Sequence, residues 1–365
     1  MVEPWFLFFL VEVIPDNHFT DQLGVMISPF PERLMASLEK WGIVMTCVRL
    51  GYVAMSVHLP NSSPSHTMTF THFQKLEDRE AAINKLATIA KKNLNNCLRL
   101  LRYNHEHDIS FFRFSSKLLP LGTHEVLENI DIYEPLAEEF ATIRNFLREH
   151  PRVRVDFHPD HFVILNSPKA DVLQQAIKTL IMHERLLRHF GLDPMHRCVL
   201  HVGGKYGDKE KALEQFIHNW GFIPRTIQEM IILENDDKTF TVEDTLYLCE
   251  KLGIPLVFDL HHHEANHDKK SWEVYWERIC ATWQDSPLPI KIHISSPRSE
   301  SNFRAHANYI EPEAFVYFLE KVKGSVRQID VMIEAKQKDE ALFQLVRDLK
   351  EHSDYEWVDQ ASFYI

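Results

Sequence analysis

Eight short apolar runs, each followed by a longer stretch of helical period, limit the folds open to this chain more than any other feature. The runs are Cys47–Tyr52, Ser110–Phe114, Val153–Phe157, Arg197–His201, Met230–Leu233, Ile254–Phe258, Ile290–Ile294 and Asp330–Ile333. The helical stretches cover about 79–105, 135–149, 168–190, 208–220, 241–251, 270–284, 311–323 and 338–351. Such alternation makes βα units and a parallel sheet. Eight units in one chain predict an α/β fold, a single (β/α)8 TIM barrel. A doubly wound sheet is the rival, but no G-x-G-x-x-G motif follows the first run. The expected division is an N-terminal extension over 1–44, a barrel catalytic domain over 45–352 and a C-terminal tail over 353–365. Met45 is a natural alternative start. The apolar stretch Trp5–Ile14 has no basic flank like that of a signal peptide and is too short to span a membrane. The connection from Val53 to about Asp78 is long and rich in Ser, Thr, His and Pro, and long barrel loops usually carry function.

Composition narrows the class. With 45% hydrophobic and 25% charged residues the chain reads as an ordinary globular protein. Its five cysteines are scattered without a C-x-x-C pair, against a disulfide framework or zinc ribbon and in keeping with a reducing cytosol. A net charge of −12 speaks mildly against nucleic acid, which wants a basic surface. Carboxylates that hold metal ions are counted in that figure, however. The 22 histidines are many for this length and point to metal chemistry.

The stretch Val257–Glu264 shows where that chemistry lies. An apolar strand ends in Asp259, and His261, His262 and His263 follow at once. A carboxylate beside imidazoles at a strand end suits a divalent ion better than a core. The other strand ends repeat the pattern: Tyr52, Arg113 with His124, His158, His201, Glu234, Lys291 with His293, and Glu334, with His306 in the loop after the seventh strand. In a barrel these ends converge on one face. A lone strand-end His is more often scaffold than ligand, but six consecutive strands ending this way are not scatter. His261 and His263 flank His262 in a strand-like run, so they are expected to point away from it as support. Lys291 inside an apolar strand must shift its pKa, pair with a charge or be modified. Imidazole and carboxylate without thiolate suit manganese, zinc, iron or magnesium. The donors are too many for one ion. Two or three ions about 3.5–4 Å apart would activate water and stabilise both oxygens of a phosphodiester displacement. Barrel sugar isomerases also use two metals, so the cluster alone does not choose the reaction.

The ordered motifs do choose. They are Arg49-Leu-Gly-Tyr52, Phe112-Arg-Phe-Ser-Ser116, Pro120-Leu-Gly-Thr-His124, Phe157-His-Pro159, His201-Val-Gly-Gly204 with Tyr206-Gly207, and Leu233-Glu-Asn-Asp-Asp-Lys238. Phe258-Asp-Leu-His-His262, Lys291-Ile-His-Ile-Ser-Ser-Pro297, His306-Ala-Asn-Tyr309 and Ile333-Glu-Ala-Lys-Gln-Lys-Asp339 complete the set. Over about 46–340 the sequence resembles the UV damage endonucleases. The resemblance implies a TIM barrel related to endonuclease IV and xylose isomerase. It implies a nick in duplex DNA immediately 5′ of cyclobutane pyrimidine dimers and 6–4 photoproducts, leaving a 3′-hydroxyl and a 5′-phosphate. It also implies a cluster of two or three divalent ions, manganese first, with magnesium, zinc or cobalt as alternatives.

Carried over by motif, the implied metal ligands are His124, His158, His201, Glu234, Asp259, His262, His293, His306 and Glu334, with His124 at a weaker or peripheral site. Glu234, Glu334 and Lys291 are the implied catalytic residues, and Lys291 matches a lysine that can be carboxylated. Tyr52 matches a tyrosine near the lesion pocket. His161-Phe162 stands where the family probes the lesion with Gln followed by Tyr or Phe. Phe162 can still wedge into an unstacked step, but His161 lacks the paired donor and acceptor of an amide, which bears on lesion range. Basic groups for DNA are Lys117, Lys205, Arg298, Arg304, Lys336 and Lys338. The run Lys85, Lys91, Lys92, Arg99 and Arg102 reads as outer surface. The expected partner is UV-damaged double-stranded DNA, met by a monomer in the cytoplasm at the nucleoid, with no membrane and no obligate protein partner. The rivals are an abasic-site endonuclease of the endonuclease IV type, a metal-dependent sugar isomerase and a damage-binding protein without catalysis.

Overall fold

The computed structural model describes residues 44–365. All but the last residue of the expected extension therefore lie outside the described part. Strands β1 (Cys47–Val53), β2 (Phe111–Phe114), β3 (Arg154–Phe157), β4 (Cys198–His201), β5 (Ile231–Glu234), β6 (Leu256–Asp259), β7 (Ile290–Ile294) and β8 (Gln328–Ile333) pair in parallel, each with the next. β8 returns to β1 in register Val48↔Ile329 through Tyr52↔Ile333, which closes the barrel. The helices fall on the expected segments, from Arg79–Glu106 to Lys338–His352. Their starts follow local chemistry. Asp78 accepts from the Ala81 amide, Asp208 from that of Lys211, and Thr241 with Asp244 forms a capping box. No described helix is long and apolar enough to cross a membrane.

Period-two alternation sorts each strand. In β1, Val48, Leu50 and Tyr52 are buried toward the helices, while Arg49 turns inward to Asp330 of β8. The same inward positions carry Arg113, Arg154, Asp156, Lys291 and His293, so the lumen is filled largely by charge rather than by the branched apolar layers usual in such barrels.

The segment 353–365 is not a tail. Glu356–Trp357 (β9) and Ser362–Tyr364 (β10) form a hairpin, and β10 lies antiparallel on the lower half of β1, Cys47↔Tyr364 to Arg49↔Ser362. The upper half of β1 pairs with β2 from Gly51↔Phe111 to Val53↔Arg113. β1 has seven residues and β2 only four, so without β10 the seam would expose an open edge.

The long first loop is tied down. Asn93 and Asn96 hold His66 and the Ser63 carbonyl, and Arg99 holds the carbonyls of Pro60 and Asn61. Asp339 accepts from Ser56, the Val57 amide and Tyr103.

Candidate metal centre

Parallel pairing sets the donors at one height. His201 lies opposite Glu234, and Asp259 opposite His293. Glu334 follows β8 directly and is fixed by its amide donating to the Ile294 carbonyl at 2.9 Å. Three groups of side chains place ligand atoms within 4.8 Å of one another: His158, His201 and Glu234; Glu234, Asp259 and His262; and Asp259, His293 and Glu334. Glu234 and Asp259 link the groups into one cluster of seven side chains.

Surrounding contacts orient the imidazoles. His158 Nδ1 lies 3.2 Å from the Pro159 carbonyl, leaving Nε2 3.0 Å from Glu234 Oε2. His262 Nδ1 lies 3.0 Å from the Asn235 carbonyl and faces the cluster, 3.2 Å from Glu234 Oε1 and 3.7 Å from Asp259 Oδ2. His293 turns Nδ1 toward Glu234, 3.0 Å away, and Glu334, 3.4 Å away. Arg113 donates both to His293 Nε2 and to Glu334. Asn235 exchanges two hydrogen bonds with the backbone of Asp259, of 2.9 and 3.0 Å, which locks β5 to β6 beneath their carboxylates.

The electrostatics are those of a site short of cations. Burial pushes Asp259 up, and Glu234 and Glu334 push it further against the pull of His262, so it stands well above the usual carboxylate range. Burial also raises Glu234, but His293 and His201 outweigh that and hold it well below. Glu334 is lowered because Arg113 overcomes its burial. His262 is raised, Asp259 and Glu234 overcoming desolvation, whereas burial lowers His293 to about 4. Glu234 Oε1, Asp259 Oδ2 and His293 Nδ1 are buried without a hydrogen-bond partner, while His201 approaches Glu234 through Nε2, 3.9 Å away. Buried orphan oxygens and nitrogens of this kind fit divalent ions.

Two of the nine expected ligands stand apart from the three groups. His306 Nδ1 is 4.0 Å from Glu334 Oε2, at the rim. His124 starts a short 3₁₀ turn, accepting from the Val126 amide, and its ring stacks on Phe70 at 4.1 Å. His261 and His263 are turned aside, but not by strand alternation. Asp259 ends β6 and caps the helix Leu260–Ala265, so the residues fan out helically. His261 bonds Ser295 and the Phe303 carbonyl. Tyr52 is a correction. It is fully buried, its hydroxyl donates 2.6 Å to Asn104 of the outer helix, and so it does not line the open face. The alternation that turns Arg49 inward turns Tyr52 outward.

Lys291 is fully buried and paired with Asp156, which also takes Arg113 Nε at 3.4 Å. Burial pulls Lys291 down to about 8 against the raising effect of Asp156. Asp156 was not among the residues expected at the site. Its signal was the alternation Arg154-Val-Asp156, which puts two charges on one strand face.

At the mouth, Phe162 is 72% exposed, with its ring 4.1 Å from that of His161. Lys117, Lys205, Arg298, Arg304 and Lys336 are exposed, and Lys338 is half-buried. Of the outer run, Lys85, Lys92, Arg99 and Arg102 are exposed on Arg79–Glu106, and Lys91 is half-buried.

Fold and cluster together define a (β/α)8 barrel with a candidate multi-ion centre at the C-terminal ends of its strands. Residues 48–363 match the family described as UV-endonuclease UvdE. The chain belongs to that family. It is 51% identical over 316 residues to a UV DNA damage endonuclease of Halalkalibacterium halodurans, covering 86% of this chain and 98% of that one. The crystal structure of SacUVDE superposes with a TM-score of 0.71 at 30% identity, covering 83% of this chain and 98% of that one. Endonuclease IV of Thermus thermophilus, at 12% identity and a TM-score of 0.50 over 84% of this chain and 100% of that one, shares the fold.

Proposed function

We propose that this chain nicks UV-damaged duplex DNA immediately 5′ of cyclobutane pyrimidine dimers and 6–4 photoproducts, leaving a 3′-hydroxyl and a 5′-phosphate. Membership in the UvdE family supports the class of reaction. The observation that carries the chemistry is the cluster of seven donors with orphaned buried atoms. His158, His201, Glu234, Asp259, His262, His293 and Glu334 would hold two or three divalent ions, manganese first, with His306 and His124 at the rim. Bound ions would supply Lewis acidity at the scissile phosphate and acidify water at neutral pH.

The chain's own residues do the rest. Arg113 holds Glu334 and His293 in place, and Asn235 holds Asp259. His161 and Phe162 are presented at an exposed tip, where Phe162 can enter a step already weakened by the lesion. Lys205 and Arg298 are exposed where they could meet phosphates. Lys291 is read in its ammonium form, since Nζ donates to Asp156. A carbamate there would add the mass of one CO2, and intact-mass measurement of the metal-loaded protein separates the two forms. The enzyme is read as a cytoplasmic monomer working on nucleoid DNA without an obligate protein partner.

The test is irradiated plasmid incubated with protein and manganese, with and without chelator. Relaxation of the irradiated plasmid alone, abolished by chelator, is the expected result. Equal nicking of undamaged plasmid sinks the lesion reading. Cutting of an abasic duplex in preference to a photodimer duplex moves the assignment to the endonuclease IV type.

A further inference from the structure

The turn after β4 is built to present one aromatic ring. Gly203 sits at φ 119°, and a Cβ there would fall 2.3 Å from Asn166 Oδ1. A Cβ on Gly204 would fall 2.9 Å from the ring of Tyr206. Tyr206 itself holds φ at 49°, a left-handed conformation rare for a bulky side chain. Strain of this kind is kept where surrounding structure enforces it, and it gathers at ligand sites. The result is a ring folded over a glycine yet 52% exposed, and among the described residues its hydroxyl has no hydrogen-bond partner.

The same turn is stitched to the loop that carries Phe162. Asn166 is fully buried, donates to the Gly204 carbonyl at 2.7 Å and accepts from its amide at 3.0 Å. Asn219 anchors that loop through the carbonyls of Leu165 and Ser167, at 2.7 and 2.8 Å. One loop begins at His158 and the other at His201, both in the Glu234 group. Two exposed rings thus rise from two loops joined by one buried amide, beside the cluster.

We infer that Tyr206 is a second DNA-contacting ring of this site, stacking on the unstacked segment beside the lesion, and that Asn166 is the positioning residue that keeps it in register with Phe162. This rests on the DNA-nicking reading above. Stacking tolerates any base, because every base has a π-face, so a ring here adds grip at a deformed step without reading sequence.

Steady-state nicking of a duplex with a single photodimer, in manganese, tests the inference. Tyr206→Ala is expected to raise KM about 5- to 100-fold, more than it lowers kcat, while Tyr206→Phe keeps the wild-type KM. Asn166→Ala is expected to raise KM as well. Because both changes remove one arrangement, the double variant should be no worse than Tyr206→Ala alone. A thermal melt of each variant separates misfolding from lost grip. Wild-type KM in Tyr206→Ala overturns the inference. So does a Tyr206→Phe variant as impaired as the alanine, because the role would then lie in the hydroxyl. Additive effects of the two changes overturn the role of Asn166. A wild-type enzyme that does not nick the damaged duplex sinks the functional reading and this inference with it, whereas an active wild type beside an unaffected Tyr206→Ala sinks only the inference.

Discussion

The lower and upper halves of the barrel lumen are both buried and both charged, yet they differ in closure. Below, Asp330 accepts from Arg49 Nε and Nη2, each at 2.7 Å, from Arg154 Nη1 at 2.8 Å and from Gln328 at 2.9 Å. Arg49 reaches the Arg152 carbonyl, Arg154 reaches that of Pro289, and the Arg154 guanidinium lies over Phe111 and Trp283. One step up, Asp156 takes Lys291 and Arg113. Asp330 has two arginines of its own, and Asp156 has Lys291 and a share of Arg113. Above, of Glu234, Asp259 and Glu334 only Glu334 takes a guanidinium among the described residues, that of the same Arg113, and carboxylate and imidazole atoms stay without partners. Buried charge must be paired or metal-bound. The lower half pairs each carboxylate from within the chain, although Arg154 Nε and Nη2 stay without a hydrogen-bond partner there, and the upper half leaves its carboxylates to be met by cations from solution.

The comparison can be broken most directly at Glu234. Glu234→Gln should lower nicking of irradiated duplex by more than about a thousandfold, since a first ligand contributes several kcal/mol to the transition state. Without metal, Asp259→Asn should not lower the melting temperature, because it removes the buried carboxylate whose ionisation burial, Glu234 and Glu334 already disfavour. Wild-type turnover in Glu234→Gln, or marked destabilisation of metal-free Asp259→Asn, would erase the difference between the halves.

Asp330→Asn should do the reverse. It strips two arginines of their shared partner and should cost about 3–5 kcal/mol of stability with or without metal. A denaturant titration at neutral pH reads this. The same residue sets an acid limb. Burial would raise its pKa, but Arg49 and Arg154 hold it at about 2, below the unfolded value. A depressed carboxylate contributes stability that is complete above its unfolded pKa and is lost as pH falls through the folded one. About 2–3 kcal/mol should therefore disappear between pH ~4 and ~2, and this limb should be missing from Asp330→Asn.

The smallest effect belongs to Arg113, which touches both halves. Arg113→Lys keeps the charge but cannot reach Asp156, His293 and Glu334 together. Manganese affinity by calorimetry should weaken about 10- to 100-fold, as for other residues that orient ligands. Unchanged affinity would show that Glu334 and His293 need no such support.

How much of this could be read beforehand differs by element. The eight strands and their helices were legible because apolar period and helix caps are local signals. The clustered side chains were legible because most of them end or directly follow an apolar strand, with His262 in the helix just beyond β6. β9 and β10 were missed, since two- and three-residue strands carry too little pattern, and what they fill is a gap left by the unequal lengths of β1 and β2. Tyr52 was misplaced because a motif gives position along the chain but not the face.

By itself, the sequence determined that a parallel barrel forms and that carboxylates and imidazoles gather at one end of it. Local period and strand polarity suffice for that. Only the tertiary structure decided which charges neutralise one another. Arg49 and Asp330 are 281 positions apart, and Arg113 and Glu334 221. No local rule pairs residues at such distance. Closing the barrel brings them together, and it is closure that leaves the lower charges paired and the upper ones open to ions.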